Sequence, residues 1–321
     1  MEGLILFAVS LLSLGAIYTI LCLALNLEAG TGPLWDLGIV SFFGVGAYAY
    51  TLVTAPPAAA YQGYILGLGL PMWMGLVAAG LAGAIVAWLI GLPTLRLKRE
   101  YFLITTLAFA EAIRQIYVNE EWLTNGVAGI YGIAQPFKQA VASANYGYLL
   151  LAIFLVGLTV VALLVHRLTA SAFGRTLKAL RENEPLAMTA GIDPRRYSMT
   201  VFVIAGLFSG IAGAFYIWYA TLIVPTLFTS DITFFIWTAV IIGGLGSMRG
   251  ALLGGFIFIL LHDLLRFVQV SADAAVALTS LRTAFIGVVL VLILRFRPNG
   301  LFPEKPVKNL LPDMLKEASN A

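Results

Sequence analysis

The sequence predicts an all-α membrane protein, a polytopic bundle of transmembrane helices. Three observations carry this prediction. Sixty percent of the 321 residues are hydrophobic and 11% are charged, against about 25% charge in a soluble domain. Long charge-free runs recur along the chain, and the basic residues gather in three short regions. A soluble fold of this length would leave large apolar patches exposed; a bilayer removes the problem by being the solvent for the outside. The length would suit about two soluble domains, but no polar linker divides the chain. Residues 1–302 therefore read as one transmembrane domain, with a short cytoplasmic tail at 303–321.

A spanning helix needs about 20 mostly apolar residues. Residues 4–27, 37–53, 72–95, 145–165, 197–230 and 232–248 carry no charge, and 101–118 carries only Glu111 and Arg114. Residues 251–267 and 283–294, with their flanks, are shorter candidates. Strands of a barrel would alternate polarity over about 10 residues. These runs are longer and apolar on every side, so they are helices, which satisfy their own backbone groups in lipid. The total is about nine spans, within eight to ten. The Gly-rich stretch 61–71 reads as a short interfacial or re-entrant piece. Residues 4–25 lack the basic start of a signal peptide, since Glu2 is the only early charge. They are also longer than a typical signal core, so they read as the first span.

Sidedness follows the placement of lysine and arginine. Arg167, Arg175, Lys178, Arg181, Arg195 and Arg196 form one basic region. Arg96, Lys98 and Arg99 form a second; Arg295, Arg297, Lys305, Lys308 and Lys316 form a third. Segments 54–71, 119–144 and 220–231 hold one basic residue between them, Lys138. Alternating the spans puts all three basic regions on the cytoplasmic side, with the N-terminus outside and the C-terminus in the cytoplasm. The net charge of +3 thus reflects membrane sidedness and forms no nucleic-acid patch. The single cysteine, Cys22, cannot make an internal disulfide, and no zinc spacing exists. No metal and no cofactor is expected.

Helices in lipid associate through small residues that let backbones approach. Gly206 and Gly210 stand four apart, as do Ser209 and Gly213, and Gly246, Gly250 and Gly254 form a double step. Gly44, Gly46, Gly80 and Ala84 add further small faces. These read as packing seams, with a lining or hinge role as the alternative. Trp73, Trp122, Trp218 and Tyr219 read as interface anchors.

One cytoplasmic segment, 167–197, is unlike a simple connector. Phe173, Leu177 and Leu180 fall at helical spacing, with Arg175, Lys178 and Arg181 on other faces. Pro185 suits the first turn of a second short helix, and Gly191 suits its end. The expectation is a short amphipathic helix, a turn and another short helix across the cytoplasmic face. A solvated loop whose basic residues meet lipid headgroups is the alternative.

This segment resembles the coupling loop of ATP-driven importer permeases. More narrowly, the chain is similar to the branched-chain amino-acid ABC permease family, its second or LivM type. The block L-R-L-K-R-E-Y-F-L-I-T-T-L-A-F-A-E-A-I-R at 95–114 carries the likeness, as do T-N-G-V-A-G-I at 124–130, the stretch 173–192, I-I-G-G-L-G-S-M-R-G-A ahead of Leu252, and R-P-N-G-L-F at 297–302. The resemblance implies an inner-membrane permease of the ABC importer type: a subunit paired with a sibling permease in a heterodimer, two cytoplasmic ATPase subunits and a periplasmic substrate-binding protein. It implies ATPase docking on Gly174, Arg175, Lys178, Arg181, Glu182, Glu184, Leu186, Ala187 and Gly191. No G-x-x-x-x-G-K-[ST] occurs in the chain, so it is expected to be no enzyme and to take its energy by contact. Alternating access, driven by the partners' unequal affinity for two states, is the implied mechanism.

The family's Leu-Ser-Leu-Gly-His-like stretch is replaced here by Trp35-Asp36-Leu37-Gly38-Ile39, losing a histidine and gaining an aspartate. Candidate residues for the translocation path are Asn26, Asp36, Ser41, Thr105, Glu111 and Arg114. Charges within a span are costly and mark function, but Glu111 and Arg114 at i,i+3 also read as a structural ion pair. Asp36 equally reads as a helix cap, and Asn26 and Thr105 as partners of local backbone. His262 and Asp263 make poor evidence for a metal or a proton relay. Two other readings stand beside the amino-acid importer. A permease of a urea or short-amide importer shares the motifs. A stand-alone secondary transporter or channel would need paired charges on several spans. A membrane-embedded enzyme lacks any cluster suited to chemistry.

Overall fold

In the computed structural model, residues 2–57, 63–64, 66–138, 141, 145–264, 284, 287–289 and 291–304 are described. Helix α1, Glu2–Leu25, runs on through a π-helical turn, Asn26–Thr31. It is followed by α2 (Ile39–Thr54), α3 (Met72–Thr94), α4 (Arg99–Asn119), the short α5 (Glu121–Thr124) and α6 (Tyr146–Ala170). Two short helices, α7 (Ala172–Glu182) and α8 (Glu184–Thr189), lead to α9 (Pro194–Ala220), α10 (Ser230–Gly243) and α11 (Met248–Leu264). Helical residues reappear at 287–289 and 291–296.

Five stretches are long and apolar enough to cross a membrane: Gly3–Thr31, Met72–Thr94, Tyr146–Ala170, Pro194–Ala220 and Pro225–Gly243. Ile39–Thr54 and Met248–His262 are shorter apolar helices. The ninth expected span, 283–294, lies partly outside the described residues. Helix α4 carries Arg99, Glu100, Glu111 and Arg114 and is amphipathic. The outside of the bundle is apolar where lipid would lie. On α3, Trp73, Val77, Leu81, Ile85 and Leu89 form an exposed stripe at four-residue spacing.

The tightest packing joins α2, α3 and α9. Small residues make it possible. A Cβ on Gly206 would reach the Ala87 methyl at 2.5 Å, and one on Gly210 would lie 3.1 Å from the Ala79 carbonyl carbon. Gly46 faces Gly210 backbone to backbone. Aromatic rings fill the remaining space, with Phe42 edge-on to Phe202 at 5.2 Å and Tyr48 stacked on Tyr117 at 4.2 Å. Helix α1 packs against α6, α9 and α11, and α10 lies on α11. Gly250 and Gly254 meet Gly243 across that second seam.

Two expectations change. Gly246 is no seam residue: it lies in the turn between α10 and α11 with φ +82, a left-handed conformation that favours glycine. Trp218 is no interface anchor. It is 6% exposed, wedged between Tyr50 and Phe215 at ring distances of 5.8 and 5.2 Å, because its position on α9 faces the core. Trp73 and Trp122 are exposed as expected.

The loop ends cluster at opposite poles. At one, Ile130–Tyr131 pairs antiparallel with Leu222–Ile223, and Gln135 Nε2 donates to the Trp218 carbonyl at 2.9 Å. Residues 66–71 fold back on the end of α2, Leu70 N donating to Val53 O at 2.9 Å. They form no regular element, with Gly69 at φ +58, and Tyr61, Gln62 and Ile65 of the Gly-rich stretch lie outside the described residues. At the other pole lie the π-turn of α1, α7, α8, the α10–α11 turn and residues 297–304. Arg195, in the first turn of α9, reaches the Leu92 carbonyl near the end of α3 at 3.4 Å.

Candidate functional site

The segment between α6 and α9 folds as the sequence predicts, as two short helices around a turn. Ser171 breaks α6, and α7 then lays Gly174, Leu177 and Leu180 onto the bundle, all buried. A Cβ on Gly174 would fall 2.6 Å from the Leu168 carbonyl oxygen, so glycine alone permits that sharp approach. Phe173 stacks on Tyr197 of α9 at 5.6 Å. Asn183 caps α8, its Oδ1 accepting from Leu186 N at 3.0 Å, with Pro185 in the first turn. Gly191, at φ +83, closes the segment, its N–H donating to Met188 O at 3.0 Å. Asp193 caps α9 by accepting from Arg195 N at 3.0 Å, ahead of which Pro194 takes the first helical position.

These caps fix a protruding knuckle. Ala187 faces inward and is buried, whereas Leu186 is 66% and Met188 55% exposed. Glu182, Glu184 and Gly191 are exposed beside them, as is Arg175. Two large apolar side chains therefore stand out from a polar, basic end of the molecule.

Lys178 and Arg181 turn the other way. Lys178 Nζ donates to Glu304 Oε1 at 2.6 Å, and Arg181 Nη2 donates to Glu304 Oε2 at 2.9 Å. Arg181 also pairs with Glu182, and its Nη1 donates to the Gly30 carbonyl. Partial desolvation lowers the pKa of the Arg181 guanidinium, but its bonds to Glu182 and Glu304 outweigh this and raise it above the usual arginine value.

The path candidates separate into two places. Asn26, Asp36 and Ser41 lie at the same pole as the knuckle and are buried. Asn26 Oδ1 accepts from Gly246 N at 2.8 Å, so it bridges two helix ends instead of serving local backbone. Asp36 Oδ1 accepts from Gly38 N at 2.7 Å, and Ser41 Oγ donates to Gly38 O at 2.6 Å; both shape the start of α2. Glu111 and Arg114 pair on α4, Arg114 Nε donating to both carboxylate oxygens at 3.0 Å. That helix buries Phe102, Thr106, Ala110 and Tyr117. Its opposite stripe exposes Tyr101, Ile104, Ala108, Ala112, Gln115 and Asn119, with Glu111 in line and Thr105 half-buried.

Several residues were missed. Thr106, not Thr105, hooks α4 to α2, accepting from Leu37 N at 3.0 Å. Arg99 lies 3.7 Å over the Trp35 ring, and Trp237 Nε1 donates to Asp36 O at 2.7 Å. Glu28 is fully buried in the π-turn, and neither of its carboxylate oxygens has a hydrogen-bond partner among the described residues. A buried carboxylate without partners is costly, and a π-turn is a frequent place for function. The only sequence sign was a charge directly after an apolar run. Among the described residues no group of His, Cys, Asp or Glu is placed to hold a metal ion.

The family model described as "Branched-chain amino acid transport system / permease component" matches residues 7–294. The chain is 30% identical over 318 residues to the high-affinity branched-chain amino acid transport system permease protein LivM of Escherichia coli (strain K12), over 92% of this chain and 70% of that protein. It is 30% identical over 330 residues to a probable branched-chain amino acid transport permease protein LivM of Methanocaldococcus jannaschii, over 94% of each. It is 22% identical over 315 residues to the LivH permease of the same Escherichia coli system, over 93% of this chain and 95% of that protein. No solved structure matches the chain.

Proposed function

The chain belongs to the branched-chain amino-acid permease family, a multi-pass inner-membrane subunit of an ABC importer, and from that premise we propose that it is no enzyme and forms half of the translocation path for branched-chain or related amino acids. It pairs with a sibling permease and receives solute from a periplasmic binding protein. Two cytoplasmic ATPases drive it by docking on segment 167–197. Its N-terminus is outside and its C-terminus is cytoplasmic. The described basic residues of the three regions then fall at the pole that holds the knuckle.

The observation that carries this reading is the capped knuckle of α8. Leu186 and Met188 stand exposed at an aqueous pole, flanked by Glu182 and Glu184. An exposed apolar pair held out by caps suits a contact with another protein. A solvated loop would have no reason to fix them. Closure of the ATPases would move α8 and α7, and the bundle would switch its open side because the partners bind its two states unequally. The outer half of the exposed α4 stripe, with Glu111, Gln115 and Asn119, suits an aqueous path or the sibling's face better than lipid.

The test is co-purification. Leu186→Glu places a charge in the proposed contact and is expected to release the ATPases from a tagged complex while the chain stays inserted beside its sibling. ATPases retained in normal amount would remove the docking assignment.

A further inference from the structure

Residues 297–304 form a strap across the cytoplasmic pole. Leu301 N donates to Ile242 O at 2.9 Å and Phe302 N to Gly243 O at 2.8 Å, which fastens the strap to the end of α10. Gly300, at φ +79, makes the turn, and a Cβ there would lie 2.6 Å from the Gly244 nitrogen. The strap delivers Glu304 to α7. Its two carboxylate oxygens divide between Lys178 and Arg181, which are one helical turn apart. Arg181 carries the connection onward to the Gly30 carbonyl of α1. Gly246 completes the junction: a Cβ there would lie 2.5 Å from Glu304 Oε2, 3.0 Å from Arg181 Nη1 and 3.1 Å from Gly30 O.

Open space surrounds this connection. Clefts of ≈ 530 Å³ and ≈ 610 Å³ flank it, and both are lined by Pro303 and Glu304. Among the described residues the Glu304 carboxylate links the strap to α7. Lys178, Arg181 and Glu304 keep 35%, 24% and 26% side-chain exposure, so the tie is neither buried nor free in water.

We infer that Glu304 is a positioning residue for energy coupling: it ties α7 to the strap, and through Arg181 and the Gly246 turn passes motion of the coupling segment to α1 and α10. This rests on segment 167–197 being the ATPase contact. The tie holds throughout the cycle, because a link that opened at each stroke would transmit nothing.

The experiment uses the whole importer, with sibling, ATPases and binding protein, reconstituted in liposomes, and reads solute taken up per ATP hydrolysed. Glu304→Gln keeps size but loses the charge that holds both Lys178 and Arg181, and the ratio is expected to fall about threefold or more. Glu304→Asp, which retains the charge, is expected to recover most of it. An unchanged ratio in Glu304→Gln, or equal losses in both variants, overturns the inference. A second measurement covers variants that assemble poorly. Lys178→Cys with Glu304→Cys, in a Cys22→Ala background, is expected to be uncoupled until a short bismaleimide joins the two thiols and restores the ratio. Joined protein that stays uncoupled overturns the inference. Leu186→Glu reports separately on docking, since its failure removes the ATPases and not the ratio within intact complexes.

Discussion

Asn26 Oδ1 accepts a hydrogen bond from Gly246 N at 2.8 Å, joining residues 220 positions apart. The π-turn of α1 and the α10–α11 turn meet here so closely that a Cβ on Gly30 would lie 2.5 Å from that nitrogen. Asn26→Leu leaves the Gly246 N–H without its partner. The expected loss is about 1–3 kcal/mol, read as a lower midpoint in thermal unfolding of the detergent-solubilised complex. An unchanged midpoint would show that the bond contributes nothing.

The α2–α3–α9 seam predicts a larger loss. Gly210 sits where α3 and α9 touch through backbone, with Gly80 Cα 3.4 Å from its hypothetical Cβ. Gly210→Leu must separate the helices. Overpacking of this kind costs about 1–3 kcal/mol or more, and the chain is expected to be degraded or to melt early. Gly3→Leu, at a position with open space, is the matched control and should behave as wild type.

The Glu111–Arg114 pair predicts a split between stability and transport. Its side chains are 45% and 24% exposed, so the pair contributes only about 0.2–1 kcal/mol. Glu111→Gln should leave the unfolding midpoint almost unmoved. Uptake should fall if α4 borders the path or the sibling. Full uptake in that variant would confine the pair to a structural role.

Sidedness is checked by thiol labelling. In a Cys22→Ser background, Phe137→Cys lies at the pole where Ile130–Tyr131 pairs with Leu222–Ile223, and Asn183→Cys lies at the knuckle. An impermeant maleimide added to right-side-out vesicles should label the first and spare the second. The reverse pattern would invert the orientation.

The five long apolar stretches were legible because lipid-exposed helices leave uninterrupted apolar runs, and the two short helices α7 and α8 because Pro185, Gly191 and the Phe173–Leu177–Leu180 spacing are local signals. Trp218 was misread because base rates for tryptophan in membranes say nothing of which helix face it occupies. Gly246 looked like one step of a seam; its turn arises from where α11 starts, at Met248, which a run of small apolar residues does not mark. The tie of Glu304 to Lys178 and Arg181 was invisible for another reason. Its partners are 126 and 123 residues away, and no periodicity links a tail to a surface helix.

The central claim, that this chain transports only as part of an ATP-driven assembly, is tested most directly by uptake into liposomes. The chain with its sibling alone should move no branched-chain amino acid, and adding the ATPases, binding protein and ATP should start uptake that stops when ATP is withheld. Solute movement by the chain alone, at a rate indifferent to ATP, would contradict it.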